Sequence, residues 1–220
     1  MVQPTHDSTT SHDSTPRTAT AVTTVPVVTA LRARGTSRVA IELDGRPWRV
    51  VPLEVVYASG LSVGGELDRG GARAVGRELR RVEAVAVALR ALRARDHTTA
   101  SLEQRLADRG TGRAVRRKTV EAVKRAGLVD DQRYATNRAM LLAGRGAGDL
   151  LIADDLDRHG VPADTVRAVI AELEPESARA DAVIETRGRS VQTARYLAAK
   201  GFSEDSVAQL VAHLATESIG

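Results

Sequence analysis

The sequence predicts a mainly α-helical protein built from tandem three-helix repeats, preceded by a small module with a β-hairpin and by a disordered tail. Helical periodicity runs from about residue 78 to the end. Three glycines, Gly110, Gly160 and Gly201, align the same apolar spacing three times. Because repeats of about 40 to 50 residues bury little surface alone, we expect them to stack into an elongated, curved array.

The amino-terminal tail, residues 1–24, consists mostly of Ser, Thr, Asp and His. A segment with so few apolar residues cannot offset the entropy of ordering, so we predict that it is disordered. Its two His-Asp pairs, His6-Asp7 and His12-Asp13, fit a low-complexity tail better than a metal site.

A small β-rich module follows. Apolar and polar residues alternate ahead of the turn dipeptide Asp44-Gly45, and the apolar positions are Val39, Ile41 and Leu43. Trp48 and Val50 continue the pattern on a returning strand. Pro52 begins a short helix that Gly60 ends.

Each repeat glycine follows a helix, with a leucine four positions before it: Leu106, Leu156 and Leu197. Apolar residues lie six, nine, ten and thirteen positions after the second and third glycines, which is the spacing of one helix face. The first repeat has Arg116 and Thr119 at two of these positions, which predicts a weaker apolar stripe. We expect each glycine in the left-handed conformation that ends a helix.

These patterns predict nine repeat helices over residues 80–93, 98–109, 112–126, 131–143, 149–159, 163–174, 176–187, 190–200 and 204–216. The corresponding division of the chain is a tail (1–24), a β-rich module (25–78) and three repeats (79–128, 129–174 and 175–220).

Charge is distributed unevenly. The net charge of +4 combines −1 over residues 1–68, +10 over 69–127 and −5 over 128–220. A basic middle third indicates contact with nucleic acid or an acidic partner. A solvated arginine-rich helix face explains the charge equally well.

Composition excludes several kinds of chemistry. The absence of cysteine rules out disulfides, thiolate metal sites and cysteine nucleophiles. Five aromatic residues are too few for a base-stacking platform. With no apolar run of about 18 residues and no signal-peptide pattern, we expect a cytoplasmic protein.

Two blocks of sequence carry a resemblance to a known family. The first runs from Arg95 to Leu102 and continues through Arg105-Leu106 to Arg109-Gly110. The second and more specific block is Gly127-Leu-Val-Asp-Asp-Gln-Arg-Tyr-Ala135. Together with Leu43-Asp44-Gly45 and residues 60–64 of the β-rich module, they resemble the RecX family of recombinase regulators over about residues 27 to 216.

This resemblance implies three-helix repeats that lie in the groove of a RecA–DNA filament, block its growth and damp strand exchange, ATP hydrolysis and co-protease activity. It also implies a modulator that is not an enzyme. The family usually carries basic residues in the middle helix of the second repeat, whereas residues 148–157 here are acidic and apolar. We therefore expect the first repeat to make the contact.

The candidate contact residues lie on two basic runs. Arg113, Arg117 and Lys124 share one helical face, which Lys118 and Arg125 extend, and Val115, Ala122, Val123 and Ala126 are expected on the opposite, buried arc. The second run is Arg90, Arg93 and Arg95, preceded by Arg73, Arg77, Arg80 and Arg81. That earlier part fits either a ridge that tracks phosphates or a solvated linker helix.

Other polar motifs have structural explanations. Asp130 and Asp131 stand where a helix begins and are expected to cap it. The segment 144–148 is expected to be a flexible turn, and Asp154, Asp155 and Asp157 a solvated helix face. His97 precedes Thr98, the expected N-cap of the next helix.

Taken with this resemblance, the sequence leads us to expect a non-enzymatic, monomeric regulator of the RecA filament, without cofactor or metal and without a membrane contact. Direct contact with DNA through the first repeat is left open. The alternative is a free-standing DNA-binding helical protein, such as a transcription or nucleoid factor, that uses the same basic repeat.

Overall fold

The computed structural model describes residues 24–217, with side chains described up to residue 212. The predicted disordered tail therefore lies outside the described residues, apart from residue 24.

A three-stranded antiparallel sheet forms the amino-terminal module. Its strands are β1 (Val28–Arg34), β2 (Arg38–Leu43) and β3 (Arg46–Pro52), in the order β1-β2-β3. The hairpin is confirmed, and Asp44 and Gly45 both adopt positive φ angles, 48° and 75°. Strand β1 was not predicted, because only its first residue, Val28, is buried and the rest shows no clear apolar alternation.

Within residues 24–217, ten helices follow the sheet. They are α1 (Leu53–Ala58), α2 (Arg69–Ala94), α3 (Thr99–Asp108), α4 (Arg113–Arg125), α5 (Asp131–Ala143), α6 (Asp149–Arg158), α7 (Ala163–Ala171), α8 (Glu176–Arg187), α9 (Val191–Ala199) and α10 (Glu204–Glu217). All ten match predicted elements within a few residues at each end, except that α2 begins well before its predicted start.

Helix α2 begins at Arg69, whereas the periodicity predicted a start at residue 80. Asp68 caps it by accepting a hydrogen bond from the Gly71 N–H at 2.7 Å. The added turns hold three glycines and only one large buried side chain, Val75, so they lack an apolar stripe. Val75 packs into the core of the sheet, while Ala84 and Ala88 pack into the next core. One helix therefore joins the module to the repeats.

Packing divides the nine helices α2 to α10 into three groups of three. We name these groups repeat 1 (α2–α4), repeat 2 (α5–α7) and repeat 3 (α8–α10). The extensive helix-to-helix contacts fall within these groups, and each group has its own apolar core. The mainly helical fold class with three-helix repeats and a small sheet is confirmed.

The repeat glycines end the middle helix of each group. Gly110, Gly160 and Gly201 have φ angles of 73°, 71° and 76°, as predicted, where a residue with a side chain would be strained. The leucines four positions earlier are fully buried in their cores.

Repeats 1 and 2 are joined by hydrogen bonds at the start of α3. The carboxylate of Asp131 accepts a hydrogen bond from the Thr99 N–H at 2.7 Å. The Thr98 hydroxyl donates to the carbonyl of His159 at 2.6 Å. The first turn of α3 is therefore held by the start of α5 and the end of α6.

Repeats 2 and 3 are joined in the same way at the start of α6. Glu176 accepts a hydrogen bond from the Asp149 N–H at 2.8 Å, and the Gly148 N–H donates to the carbonyl of Lys200 at 2.8 Å. Arg179, buried in this junction, donates to the Ala147 carbonyl at 2.7 Å and pairs with Asp149. The two junctions thus repeat one arrangement.

Candidate interaction surface

The basic residues predicted to make contact all lie on the surface of repeat 1. Every one of them is exposed: Arg90, Arg93, Arg95, Arg113, Arg117, Lys118, Lys124 and Arg125. Helices α2 and α4, which carry all of them except Arg95, pack directly on each other. Repeat 1 therefore presents both predicted basic runs to solvent.

Helix α4 is rotated relative to the predicted orientation. Its buried residues are Thr119, Val120 and Val123, whereas Ala122 and Ala126 are exposed, so their expected burial was wrong. The helix packs on α2 and α3 through a narrow stripe. This stripe includes the two polar positions that the sequence analysis noted, the buried Thr119 and the half-buried Arg116. A narrow buried stripe leaves a wider exposed arc for the cations.

Two glutamates lie close to arginines of α4 and offset part of the positive charge of this helix. Glu121 lies within the basic arc, 3.7 Å from Arg117, with both side chains more than half exposed. Such a pair contributes little to stability and leaves the cation accessible. Arg116, by contrast, is half-buried, donates to the Thr111 carbonyl at 2.8 Å and lies 3.8 Å from Glu103. It fixes the helix start and is not part of the exposed surface.

The second basic run follows α2 and ends at Arg95, the extended residue that caps this helix. Arg73, Arg77 and Arg80 are exposed on the same helix. The helix does link the module to repeat 1, and its use as a phosphate-tracking ridge stays a prediction.

The fold also brings together four arginines from three separate elements. Arg38 of β2, Arg80 and Arg90 of α2 and Arg109 of the α3–α4 turn line one cavity of about 520 Å³, together with Glu83. Sequence reasoning missed Arg38 and Arg109, because only the packing of the sheet beside α2 places them there. The sequence signal that could have indicated this cavity is the equivalence of Gly110 to the other two repeat glycines.

The paired aspartates have structural roles, with one difference from the prediction. Asp130 caps α5 as expected, by accepting a hydrogen bond from the Arg133 N–H at 3.0 Å. Asp131 instead reaches across to α3, as described above. Within the described part of the chain, no group of three or more acidic or histidine side chains could hold a metal ion.

The acidic helix α6 is only partly a solvated face. Asp154 and Asp157 are exposed, but Asp155 receives two hydrogen bonds of 2.8 Å from Arg138 of α5. The expectation that Asp155 is solvated was therefore wrong. The bonds from Arg138 hold the pKa of Asp155 below its usual value.

His97 lies at the entry to α3, as predicted. It is buried, and its Nδ1 lies 3.1 Å from the hydroxyl of Ser101. Thr98 caps the helix through Ser101 in a reciprocal pair of hydrogen bonds. Burial lowers the pKa of His97, and the charges of Arg95 and Arg105 lower it further. A neutral, enclosed imidazole suits a structural role.

The turn 144–148 links α5 and α6, and its last residue is tightly packed. A Cβ on Gly148 would lie 2.3 Å from the backbone of Gly201 and Phe202. This residue is therefore a contact point between repeats 2 and 3.

Across residues 24–217, no helix is long and apolar enough to cross a membrane.

Comparison with known proteins identifies relatives that match part of this chain. No family model matches the chain. The chain is 32% identical over 130 residues to a protein of Halorhodospira halophila named "Regulatory protein RecX", which covers 54% of this chain and 81% of the relative. It is 31% identical over 153 residues to a Mycobacterium leprae protein of the same name, which covers 63% of this chain and 90% of the relative.

Solved structures share the fold. The "Crystal structure of regulatory protein RecX" superposes with a TM-score of 0.69 at 18% identity and covers 84% of this chain and 98% of that one. The crystal structure of RecX from Lactobacillus salivarius gives a TM-score of 0.53 at 15% identity over 62% of this chain and 97% of that one. Given the helical repeats and two relatives above 30% identity that are matched over more than two thirds of their length, this chain belongs to the RecX family of regulatory proteins.

Proposed function

We propose that this protein regulates the RecA recombinase by binding in the groove of the RecA–DNA filament. In this proposal it inhibits filament extension, strand exchange, ATP hydrolysis and co-protease activity. Membership of the RecX family supports the proposal at the level of a regulator. The observation that supports repeat 1 as the contact surface is its set of exposed cations.

The arrangement of the repeats supports binding along an extended partner. Equivalent hydrogen bonds join repeat 1 to repeat 2 and repeat 2 to repeat 3, so the three groups form a row that can follow a helical groove. The charge changes sign along this row, with net +10 over residues 69–127 and −5 over residues 128–220. Phosphates and acidic protein surfaces therefore favour the amino-terminal end of the row.

We further propose that the protein acts by binding alone, in the cytoplasm and as a monomer. In this proposal the chain divides into a β-rich module (25–78) and three repeats (79–128, 129–174 and 175–220). Helix α2 crosses the first of these boundaries without a break. Bending between the module and repeat 1 is therefore resisted by a continuous helix.

The test is RecA-driven strand exchange and single-strand-dependent ATP hydrolysis with added purified protein. We expect inhibition at well below one copy per RecA subunit, because a protein that blocks filament growth acts at few sites. Full exchange at equimolar protein would contradict the proposal. DNA binding without any effect on RecA would instead favour the free-standing DNA-binding protein.

A further inference from the structure

The cavity beside Gly110 occupies the position at which the other two repeats receive their neighbour. At Gly160 a Cβ would meet the Cβ of Ala100 at 2.4 Å, and at Gly201 it would meet Leu151 at 2.5 to 2.6 Å. In both cases the contact is the first turn of the middle helix of the preceding repeat. At Gly110 a Cβ would meet nothing within 4 Å. Repeat 1 therefore carries the same docking position, but open.

One residue of this position is equivalent in all three repeats. Arg80, Asp131 and Glu176 each stand four residues before the first buried alanine of their helix, which is Ala84, Ala135 or Ala180. Asp131 and Glu176 accept hydrogen bonds from the first N–H of the middle helix in the preceding repeat, at 2.7 and 2.8 Å. Arg80 lines the open cavity instead. The charge at this position is therefore reversed in repeat 1.

Three further arginines strengthen the reversal. Arg38, Arg90 and Arg109 line the same cavity, against one acid, Glu83. Among the described residues, none of the four arginines forms an ion pair. Four guanidinium groups without ion-pair partners attract negative charge and bind carboxylates through two parallel hydrogen bonds.

Apolar side chains also line the cavity. Val82, Val87 and Ala84 contribute to its lining, and the cavity holds about 520 Å³. A DNA backbone makes little use of apolar surface, whereas a peptide fills it with side chains. The equivalent positions of repeats 2 and 3 also bind protein, namely the first turn of a helix.

We propose that this cavity, which we name the repeat 1 socket, binds an acidic segment of a partner protein that carries apolar anchor residues. Carboxylates of the segment pair with Arg38, Arg80, Arg90 and Arg109, and its apolar side chains cover Val82 and Val87. The segment takes the position that a preceding repeat would occupy. This inference deepens the proposed partner surface and rests on the proposal that the protein acts by binding.

The experiment measures fluorescence anisotropy of labelled probes with the full-length chain. The main probe is a 12-residue peptide of Glu, Asp and Leu, and its matched control replaces each acid by the corresponding amide. A labelled oligothymidylate of 12 nucleotides tests nucleic acid. We expect the acidic peptide to bind with a Kd on the order of 1 to 100 µM, and the amide peptide to bind at least about tenfold more weakly.

Two variants place the binding in the socket. Arg80→Asp restores the charge found in repeats 2 and 3, and Arg109→Ala changes a second element. We expect each to weaken binding of the acidic peptide at least about fivefold. Arg77→Asp is the matched control, since Arg77 is exposed on α2 and does not line the cavity, and it should change the Kd by less than about twofold. Far-UV circular dichroism and Tm confirm that the variants fold.

Three results would overturn the inference. The first is that the acidic peptide fails to bind at 1 mM. The second is that Arg80→Asp and Arg77→Asp weaken peptide binding equally. The third is that binding of the oligothymidylate alone depends on Arg80, which would make the socket a nucleic-acid site. The assay contains no RecA and no filament. Its failure alongside intact inhibition of strand exchange removes the socket alone, and loss of inhibition alongside peptide binding removes the filament proposal alone.

Discussion

The carboxylate of Asp131 accepts a hydrogen bond from the Thr99 N–H across the boundary between repeats 1 and 2, at 2.7 Å. It thereby satisfies an N–H at the start of α3 that its own helix leaves free. A residue near the start of one repeat thus completes a helix of the repeat before it, and this bond couples the two repeats together with the bond from the Thr98 hydroxyl to the His159 carbonyl.

Replacing this carboxylate should loosen the junction. We expect Asp131→Ala to lower the free energy of unfolding by about 1 kcal/mol, the usual cost of a lost helix cap. Urea unfolding followed by circular dichroism measures the change. Asp157→Ala, at an exposed position of α6, is the control and should change stability by less than about 0.5 kcal/mol. Equal effects would show that Asp131 does not couple the repeats.

The second junction should depend on pH through Glu176. Partial burial alone would raise the pKa of Glu176, but hydrogen bonds from the Ser203 hydroxyl, the N–H groups of Asp149 and Ser203 and the Ser206 hydroxyl outweigh it and hold the pKa below 4.5. A carboxylate whose pKa is lowered by folding stabilises the fold at pH values above its unfolded-state pKa. This contribution is lost as the pH falls through the folded-state pKa. Glu176 therefore stabilises the junction at neutral pH.

We expect Glu176→Gln to be less stable than the wild type at pH 7, and the difference to shrink as pH falls below about 4.5. Urea titrations at several pH values between 7 and 3 measure this difference. Glu172→Gln, on an exposed side chain, serves as the control. A difference that stays constant over this range would refute the role of the Glu176 charge.

Glycine substitutions separate backbone strain from contact between repeats. Gly201→Ala combines a positive φ with a Cβ only 2.5 Å from the Leu151 backbone nitrogen, whereas Gly110→Ala has a similar φ and open space. We expect Gly110→Ala to cost about 1 kcal/mol from strain alone. Gly201→Ala should cost at least about 1 to 3 kcal/mol more, because the junction must shift. Thermal and urea unfolding compare the two, and similar losses would mean that the close approach at Gly201 is unimportant.

The cations of α4 should set the salt dependence of filament or DNA binding. Replacing Arg113, Arg117 and Lys124 by Ala removes up to three phosphate contacts, so the slope of log K against log salt should fall in magnitude by up to about 2.7. The control replaces three exposed arginines of repeat 2 by Ala: Arg133, Arg158 and Arg167. Two of these control arginines are paired with aspartates. An unchanged slope in the α4 variant would place the contact elsewhere.

Most of the helices were predictable because their signals are local. The leucine and glycine that end each middle helix recur at fixed spacing, and the Asp44-Gly45 turn determines the hairpin. Strand β1 was missed because Val28 is its one buried side chain, and the repeat pattern did not show that the arginine-bearing linker segment and the helix from residue 80 form one continuous helix, α2. Local patterns do not contain that information.

The candidate site was predictable in part. The exposure of the eight basic residues follows from their charge, but the rotation of α4 depends on which side meets α2 and α3. The pairing of Asp155 with Arg138 joins two helices, and the gathering of Arg38 with Arg109 joins a strand to a turn. Such relationships over long stretches of chain require the fold.

The reversed charge at Arg80 also determines how two molecules can meet. In repeat 3, the first turn of the middle helix α9 includes Val191, which is 60% exposed. Docking of this turn on the Gly110 position of a second molecule would extend the row into a fibre. The positive end of a helix would then face four arginines and be repelled. The four arginines would therefore oppose end-to-end association of two molecules through this contact.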